Sequence, residues 1–351
     1  MSKFGKLKPS LLFQFIIPLF LIFLSFNSYI QERESGRLKL LLVQGASMKN
    51  VLFSKVLSIW FIGVILLLFS ICIQFIFNSN ELMLDILIRL MIFIVAYSLY
   101  YLILVLLTIF ISLALRNATG ALSLTVVLWV LWTIFLPKII GNSVEQISPL
   151  PSRVAFQNAM DADRSKGVDG HNPSAERENE LIQETLAKYN VNNLEELPVN
   201  FTGILMQADE EYGNKVWDRH FGDLYTQLQS QKMYYQLSGF INPFVSIQNL
   251  SMATSGTDMF HHLDFLKQAE KYRRFFIKKL NDEYAFGGAK TGDRGWKADT
   301  DFFQSVKDFS YQFPLFMTFL SKYILDILVL VMWVFILTLS IIFSAKKNPV
   351  L

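Results

Sequence analysis

Gln31-Glu32-Arg33-Glu34-Ser35-Gly36-Arg37-Leu38-Lys39-Leu40-Leu41-Leu42-Val43-Gln44-Gly45 separates two long apolar runs. A passive connection between two apolar helices is short, polar and rich in turn residues. This one opens on acidic residues, breaks at Gly36, and continues as a basic, leucine-rich amphipathic helix that closes at Gly45. Lys49 and Lys55 mark the start of the next apolar run. The pattern is that of a part that transmits force.

The runs on either side decide the class. A helix needs roughly 20 apolar residues to cross about 30 Å of hydrocarbon. Five stretches meet that length, approximately 11–30, 51–77, 84–115, 120–140 and 316–345. With 52% hydrophobic and only 17% charged residues, the latter gathered mostly between about 150 and 310, the chain reads as a membrane protein with one soluble portion. The fold class expected is an all-α polytopic membrane protein with about five transmembrane helices and a mainly helical extracytoplasmic domain. A net charge of +3 is too small to suggest nucleic-acid binding. The single cysteine, Cys72, lies within an apolar run, so no intrachain disulfide can form. A large external domain without disulfides fits a bacterial envelope better than a eukaryotic secretory route. The first apolar run lacks a small-residue cleavage site, so it does not read as a cleaved signal.

Orientation follows from lysine and arginine near the span ends. Arg33, Arg37, Lys39, Lys49, Lys55, Arg116, Lys346 and Lys347 fall on one side; Lys138, Arg89, Lys3, Lys6 and Lys8 fall on the other. The first set is the larger, which places the 31–55 segment and the C-terminus in the cytoplasm and 141–315 outside. Five spans then put Met1 outside, in conflict with Lys3, Lys6 and Lys8. A further span upstream would resolve the conflict, and the expectation is that one is encoded there. The domain organisation expected is 1–140 for four spans with a cytoplasmic helix at 31–49, 141–315 for the external domain, and 316–351 for the last span and tail.

Within 141–315, Asp161 to Pro173 is polar and glycine-containing and reads as a loop, with Asn172-Pro173 opening a helix. Leu181, Ile182, Leu186 and Tyr189 form its apolar stripe. A second helix, roughly 203–237, places Trp217, Phe221, Leu224 and Leu228 on one face. A third starts near Asp258 and stops at Gly287-Gly288, with Phe265, Ala269, Tyr272, Phe276 and Leu280 on a face.

The segment Glu32-Arg33-Glu34-x-Gly36-x-Leu38-x-x-Leu41 resembles the coupling helix of ABC-2-type ABC transporter permeases. Leu197-Pro198-Val199-Asn200-Phe201, Asn242-Pro243-Phe244, Leu250-Ser251-Met252-Ala253 and Ala269-Glu270-Lys271-Tyr272-Arg273 are similar, in order and spacing, to a branch with a large insertion before the last span. The resemblance covers nearly the whole chain from residue 11. It implies a permease subunit in the bacterial inner membrane, half of a homo- or heterodimeric pore embedded in lipid. Its Glu32, Arg33, Glu34, Gly36, Arg37, Leu38, Lys39 and Leu41 would meet a separate ABC ATPase subunit. ATP and magnesium would sit on that partner, and this chain would carry no cofactor and no catalytic residue. It departs from the family in lacking the usual first span. A basic amphipathic helix could instead lie on anionic lipid, but Glu32 and Glu34 would be repelled there. The rival reading of the whole chain is a non-transport receptor or assembly platform.

Other chemistry finds little support. Gly287-Gly288-Ala289-Lys290-Thr291 lacks the glycine spacing of a phosphate-binding loop. His261 and His262 are adjacent and point about 100° apart on a helix, so they suit one metal ion poorly, and His171 and His220 add no pattern. Asp161-x-Asp163-x-Ser165 echoes a calcium loop, with its glycine one position late. Ser251 lacks the flanking glycines of a hydrolase elbow. Charges inside spans are costly unless paired or wet, and so point to function. Asp85 with Arg89, and Lys322 with Asp326, lie at i,i+4 spacing and could form local ion pairs or line a polar path.

Overall fold

A computed structural model describes residues 8–77, 84–115, 117–168, 170–293 and 295–347. Lys3, Lys6 and Arg116, which entered the charge count, lie outside the described residues. Every regular element among the described residues is helical. In chain order these are α1 (Pro9–Glu34, with a π turn at Leu12–Ile16 and hydrogen-bonded turns at 26–29), α2 (Arg37–Val43), α3 (Met48–Phe77), α4 (Leu84–Ala114) and α5 (Ala118–Ile147, with a π turn at Leu131–Phe135). There follow α6 (Arg153–Lys166), α7 (Ser174–Tyr189), α8 (Phe201–Leu237), α9 (Pro243–Ser255), α10 (Met259–Phe286), α11 (Thr300–Ser305), α12 (Phe316–Phe319) and α13 (Ile324–Lys347). Helices α1, α3, α4, α5 and α13 are long and apolar enough to cross a membrane. The chain is a multi-pass membrane protein.

Two compact units emerge: Met1–Gln146 with Lys232–His261 and Pro314–Leu351, and Ile147–Gln231 with His262–Phe313. Residues 232–261, placed by the sequence within the external block, cluster with the spans.

In the first unit α4 is the central helix, touching α1, α3, α5, α9 and α13. Tyr97, Tyr100, Tyr101 and Leu104 on it are fully buried. Two prolines inside spans are accommodated in the same way. The π turn at Leu12–Ile16 ends with the Ile17 N–H bonded to the Leu12 carbonyl, and the next residue, Pro18, has no N–H for the Phe13 carbonyl. Tyr101 Oη donates to that carbonyl at 3.1 Å. The π turn at Leu131–Phe135 likewise leaves the Trp132 carbonyl facing Pro137, and Asn242 Nδ2 donates to it at 2.8 Å. In lipid an orphan carbonyl must find such a partner inside the protein.

Asn242 belongs to a hairpin that reaches deep among the spans. Trp333 Nε1 donates to the Gly239 carbonyl at 3.1 Å, and Trp333 lies nine residues inside α13, or about 14 Å along it. Phe244 meets Tyr100 and Phe15, ring centroids 6.3 and 5.7 Å apart. Tyr100 is sixteen residues, about 24 Å, from the start of α4. Asn242 caps α9 by accepting from the Phe244 N–H, Pro243 fills its first turn, and Gly256 (φ 68°) ends it in the left-handed conformation. The end of α8, a turn, and α9 therefore fold back on each other inside the helix bundle.

The last span begins later than the sequence suggests, at Ile324 instead of 316. Residues Leu320–Lys322 form a 3-10 turn, and Tyr323 (φ −118°, ψ 0°) breaks the helical phase before α13. The fourth span runs on past 140 to Ile147.

In the second unit α8 and α10 are cross-linked along their length. Arg274 grips Asp218 with two hydrogen bonds of 2.7 and 2.9 Å, Arg273 pairs with Glu210, and Asn281 Nδ2 donates to Gln207 at 3.1 Å. The helices come closest where Gly203 faces Ala285; a Cβ on Gly203 would fall 2.5 Å from the Ala285 nitrogen. Burial alone would raise the Glu270 carboxyl, but hydrogen bonds from Arg273 and Arg274 outweigh it and hold it below the usual value. Trp217 stacks on Phe221 with centroids 4.5 Å apart. The loop expected from Asp161 is helical through Lys166, and Pro173 caps α7 from just outside it. Asp163 on α6 meets His220 at 2.9 Å and Arg219 at 3.6 Å.

Candidate functional site

The segment between the first two spans folds as a helix, a break and a second helix. Gly36 adopts φ 73°, a left-handed conformation that costs other residues about 1–2 kcal/mol. The turn separates α2 from the end of α1, and Gly45 (φ 92°) turns the chain again before α3. The eight residues singled out here divide in two. Glu32 pairs with Lys55 of α3 at 2.6 Å, Arg33 lies over the Tyr29 ring at 5.8 Å, and Leu38 is fully buried. The Glu32–Lys55 pair ties the end of α1 to α3, Leu38 anchors α2 in the core, and Leu41 is half-buried behind it. Glu34, Arg37 and Lys39 are exposed. Leu40 and Val43, three residues apart on one face, are 65% and 76% exposed. Sequence reading missed this pair; the signal was an apolar run too long for one buried face. The result is a short helix, anchored at Leu38, that presents two bases and two aliphatic side chains beside exposed Glu34 at the end of α1.

A second constellation lies within the first unit, around the hairpin. Arg89, 7% exposed, spends its donors on four groups: Nε on Asp85 at 2.6 Å, Nη1 on the Ala253 carbonyl at 3.2 Å and beside His261 Nε2 at 3.3 Å, and Nη2 on the Pro314 carbonyl at 2.8 Å. Its guanidinium also lies over the Phe316 ring, 5.2 Å from the centroid. Asp85 accepts from the Phe316 N–H at 2.7 Å with its other oxygen. Arginine can only donate, so His261 Nε2 acts as acceptor and Nδ1 donates to Asp258. Asp258 also accepts from Tyr323 Oη and from the Phe260 N–H at 3.2 Å. Burial would raise the Asp258 carboxyl, yet the hydrogen bonds from His261 and Tyr323 hold it below the usual carboxylate range. Burial pushes the Tyr323 hydroxyl up, and the Asp258 charge beside it pushes further.

The expected pairing of Asp85 with Arg89 is present. That of Lys322 with Asp326 is not. The 3-10 turn puts the two on different faces: Lys322 is exposed with its ammonium 5.7 Å from the Phe260 centroid, while Asp326 is fully buried among Gln236 and Asn249. His262 is exposed, and no group of three or more metal-ligating side chains is found among the described residues.

Two family models match the chain. One, described as a domain of unknown function (DUF3526), covers residues 153–312. The other, described as a protein of unknown function (DUF2705), covers residues 4–160. No curated protein and no solved structure matches the chain.

Proposed function

We propose that this chain is the membrane-spanning subunit of an ABC-2-type transporter in a bacterial inner membrane, and that α2 is where its ATPase partner docks. The observation that carries the reading is the anchored, exposed α2. A helix that rests on a moving partner must present contact groups outward and be tied rigidly to the spans inward. Leu40 and Val43 with Glu34, Arg37 and Lys39 do the first. Buried Leu38 does the second, and the Glu32–Lys55 pair ties the end of α1, from which α2 departs, to α3. ATP and magnesium belong to the partner, whose closure would push α2 and through it α1 and α3, shifting the spans against a second permease subunit. The outward movement of substrate, or the mechanical driving of an envelope process, follows from that shift.

Glu34→Lys tests it. Reversing one charge at a desolvated contact can cost 2–5 kcal/mol of association. The variant should insert into the membrane normally and lose co-purification of the ATPase partner. Unchanged co-purification and unchanged ATPase stimulation would remove Glu34 from the interface.

A further inference from the structure

Asp326 is fully buried near the start of α13, and each of its carboxyl oxygens accepts one hydrogen bond, from Gln236 Nε2 at 2.6 Å and from Asn249 Nδ2 at 2.9 Å. Both donors are neutral amides. The ammonium of Lys232 donates to Asn249 Oδ1 instead, so an amide stands between cation and carboxyl.

Among the described residues no cation lies within hydrogen-bonding distance of Asp326. Asp85 is held by Arg89, and Asp258 by His261 and Tyr323. His261 stands between Arg89 and Asp258. Lys322, on the same stretch of chain, is exposed and turned to the Phe260 ring. Burial holds the Lys232 ammonium below the usual lysine value, against the pull of Asp326 and Asp258. Asp326 is thus fully buried with neutral amides as its hydrogen-bond donors, and a buried charge without a directly paired cation is relieved by protonation. An acid proton needs an acceptor. Ser246, three residues before Asn249 on the same face of α9, is fully buried beside Gly239, and its hydroxyl faces Asp326.

We propose that Asp326 is a proton-binding site within the span bundle, a neutral carboxylic acid at pH 7 that donates to Ser246 while accepting from Gln236 and Asn249. Releasing the proton to water leaves a carboxylate and the Lys232 ammonium on either side of the Asn249 amide. Their attraction in a low-dielectric setting then draws α8 and α13 together, and rebinding the proton relaxes them. Gln236 Nε2 also donates to the Lys322 carbonyl at 2.8 Å, which links the carboxyl to the exposed end of the helix. This inference stands whether or not an ATPase binds α2.

Infrared spectroscopy of the full chain in lipid nanodiscs decides it. At pH 7 the wild type should show the carbonyl stretch of a protonated carboxylic acid, lost in Asp326→Asn and regained by no buffer change. Asp326→Asn, which mimics the neutral acid, should melt at the wild-type temperature. Ser246→Ala should keep the band but move it to higher frequency, because the acid loses its acceptor. The proposal fails if Asp326→Asn leaves the band untouched, or if that variant melts well below wild type and Lys232→Met restores it. Should Asp326→Asn not fold, an unshifted band in Ser246→Ala overturns the proposal by itself.

Discussion

Arg89→Ala is expected to loosen the hairpin that lies among the spans. The side chain holds Asp85 on its own helix, the Ala253 carbonyl at the end of α9, and the Pro314 carbonyl where the chain returns toward the last span. Deleting one partner of a buried ion pair costs about 3–5 kcal/mol, because the other charge stays buried. Each carbonyl left dry adds roughly 1–3 kcal/mol. These losses belong to one network and do not add, so a net loss near the top of the first range, about 5 kcal/mol, is expected. Arg89→Lys keeps the charge but not the planar fork and should fall between. Asp85→Asn combined with Arg89→Gln removes both charges and should cost less than Arg89→Ala alone. The assay is thermal unfolding in detergent, together with thiol labelling at Ser251→Cys, a position held by Tyr97 Oη at 2.9 Å in the wild type. Faster labelling should accompany the stability loss. A variant within about 0.5 kcal/mol of wild type, with unchanged labelling, would refute the reasoning.

Asn242→Leu strips both the Trp132 carbonyl and the α9 cap, and should cost more than Tyr101→Phe, which strips only the Phe13 carbonyl and should cost about 1 kcal/mol; denaturant titration separates them. Gly36→Ala forces a side chain into a left-handed turn at about 1 kcal/mol and should weaken ATPase association more than it lowers melting temperature. Asp258 is depressed in the folded protein, so its contribution is present above its unfolded value, about 4, and is lost as pH falls through the folded value. Melting temperature should therefore drop below about pH 4, and Asp258→Asn should lack that acid limb. A cysteine at Lys166 should react with an impermeant thiol reagent in intact cells, and one at Lys39 should not; labelling at Lys39 alone would reverse the orientation.

The spans were legible because twenty apolar residues in a row have few other readings. Gly36 was legible because a glycine between charged and leucine-rich turns marks a left-handed break. The hairpin was not. α9 has 13 residues, too few to cross a bilayer, and it lies inside the most charged part of the chain. A signal was nevertheless present: Met233 to Thr257, 25 residues, contain no charged side chain. Spacing failed for Lys322 and Asp326 because i,i+4 reasoning assumes an unbroken helix, and Tyr323 breaks it. It held for Asp85 and Arg89, where α4 is continuous. Asp258 and His261 pair locally, but Tyr323 on Asp258, Arg89 on His261, and Gln236 and Asn249 on Asp326 lie 65 to 172 residues away along the chain and follow from tertiary packing alone.

A photoreactive amino acid placed at Leu40, Val43 or Leu38 in native membranes tests the central claim most directly. The account predicts that Leu40 and Val43 capture a polypeptide bearing an ATP-binding Gly-x-x-x-x-Gly-Lys-Ser/Thr loop, and that fully buried Leu38 captures only this chain. Capture of lipid or of no ATPase at Leu40 and Val43, with the protein correctly inserted, would contradict it.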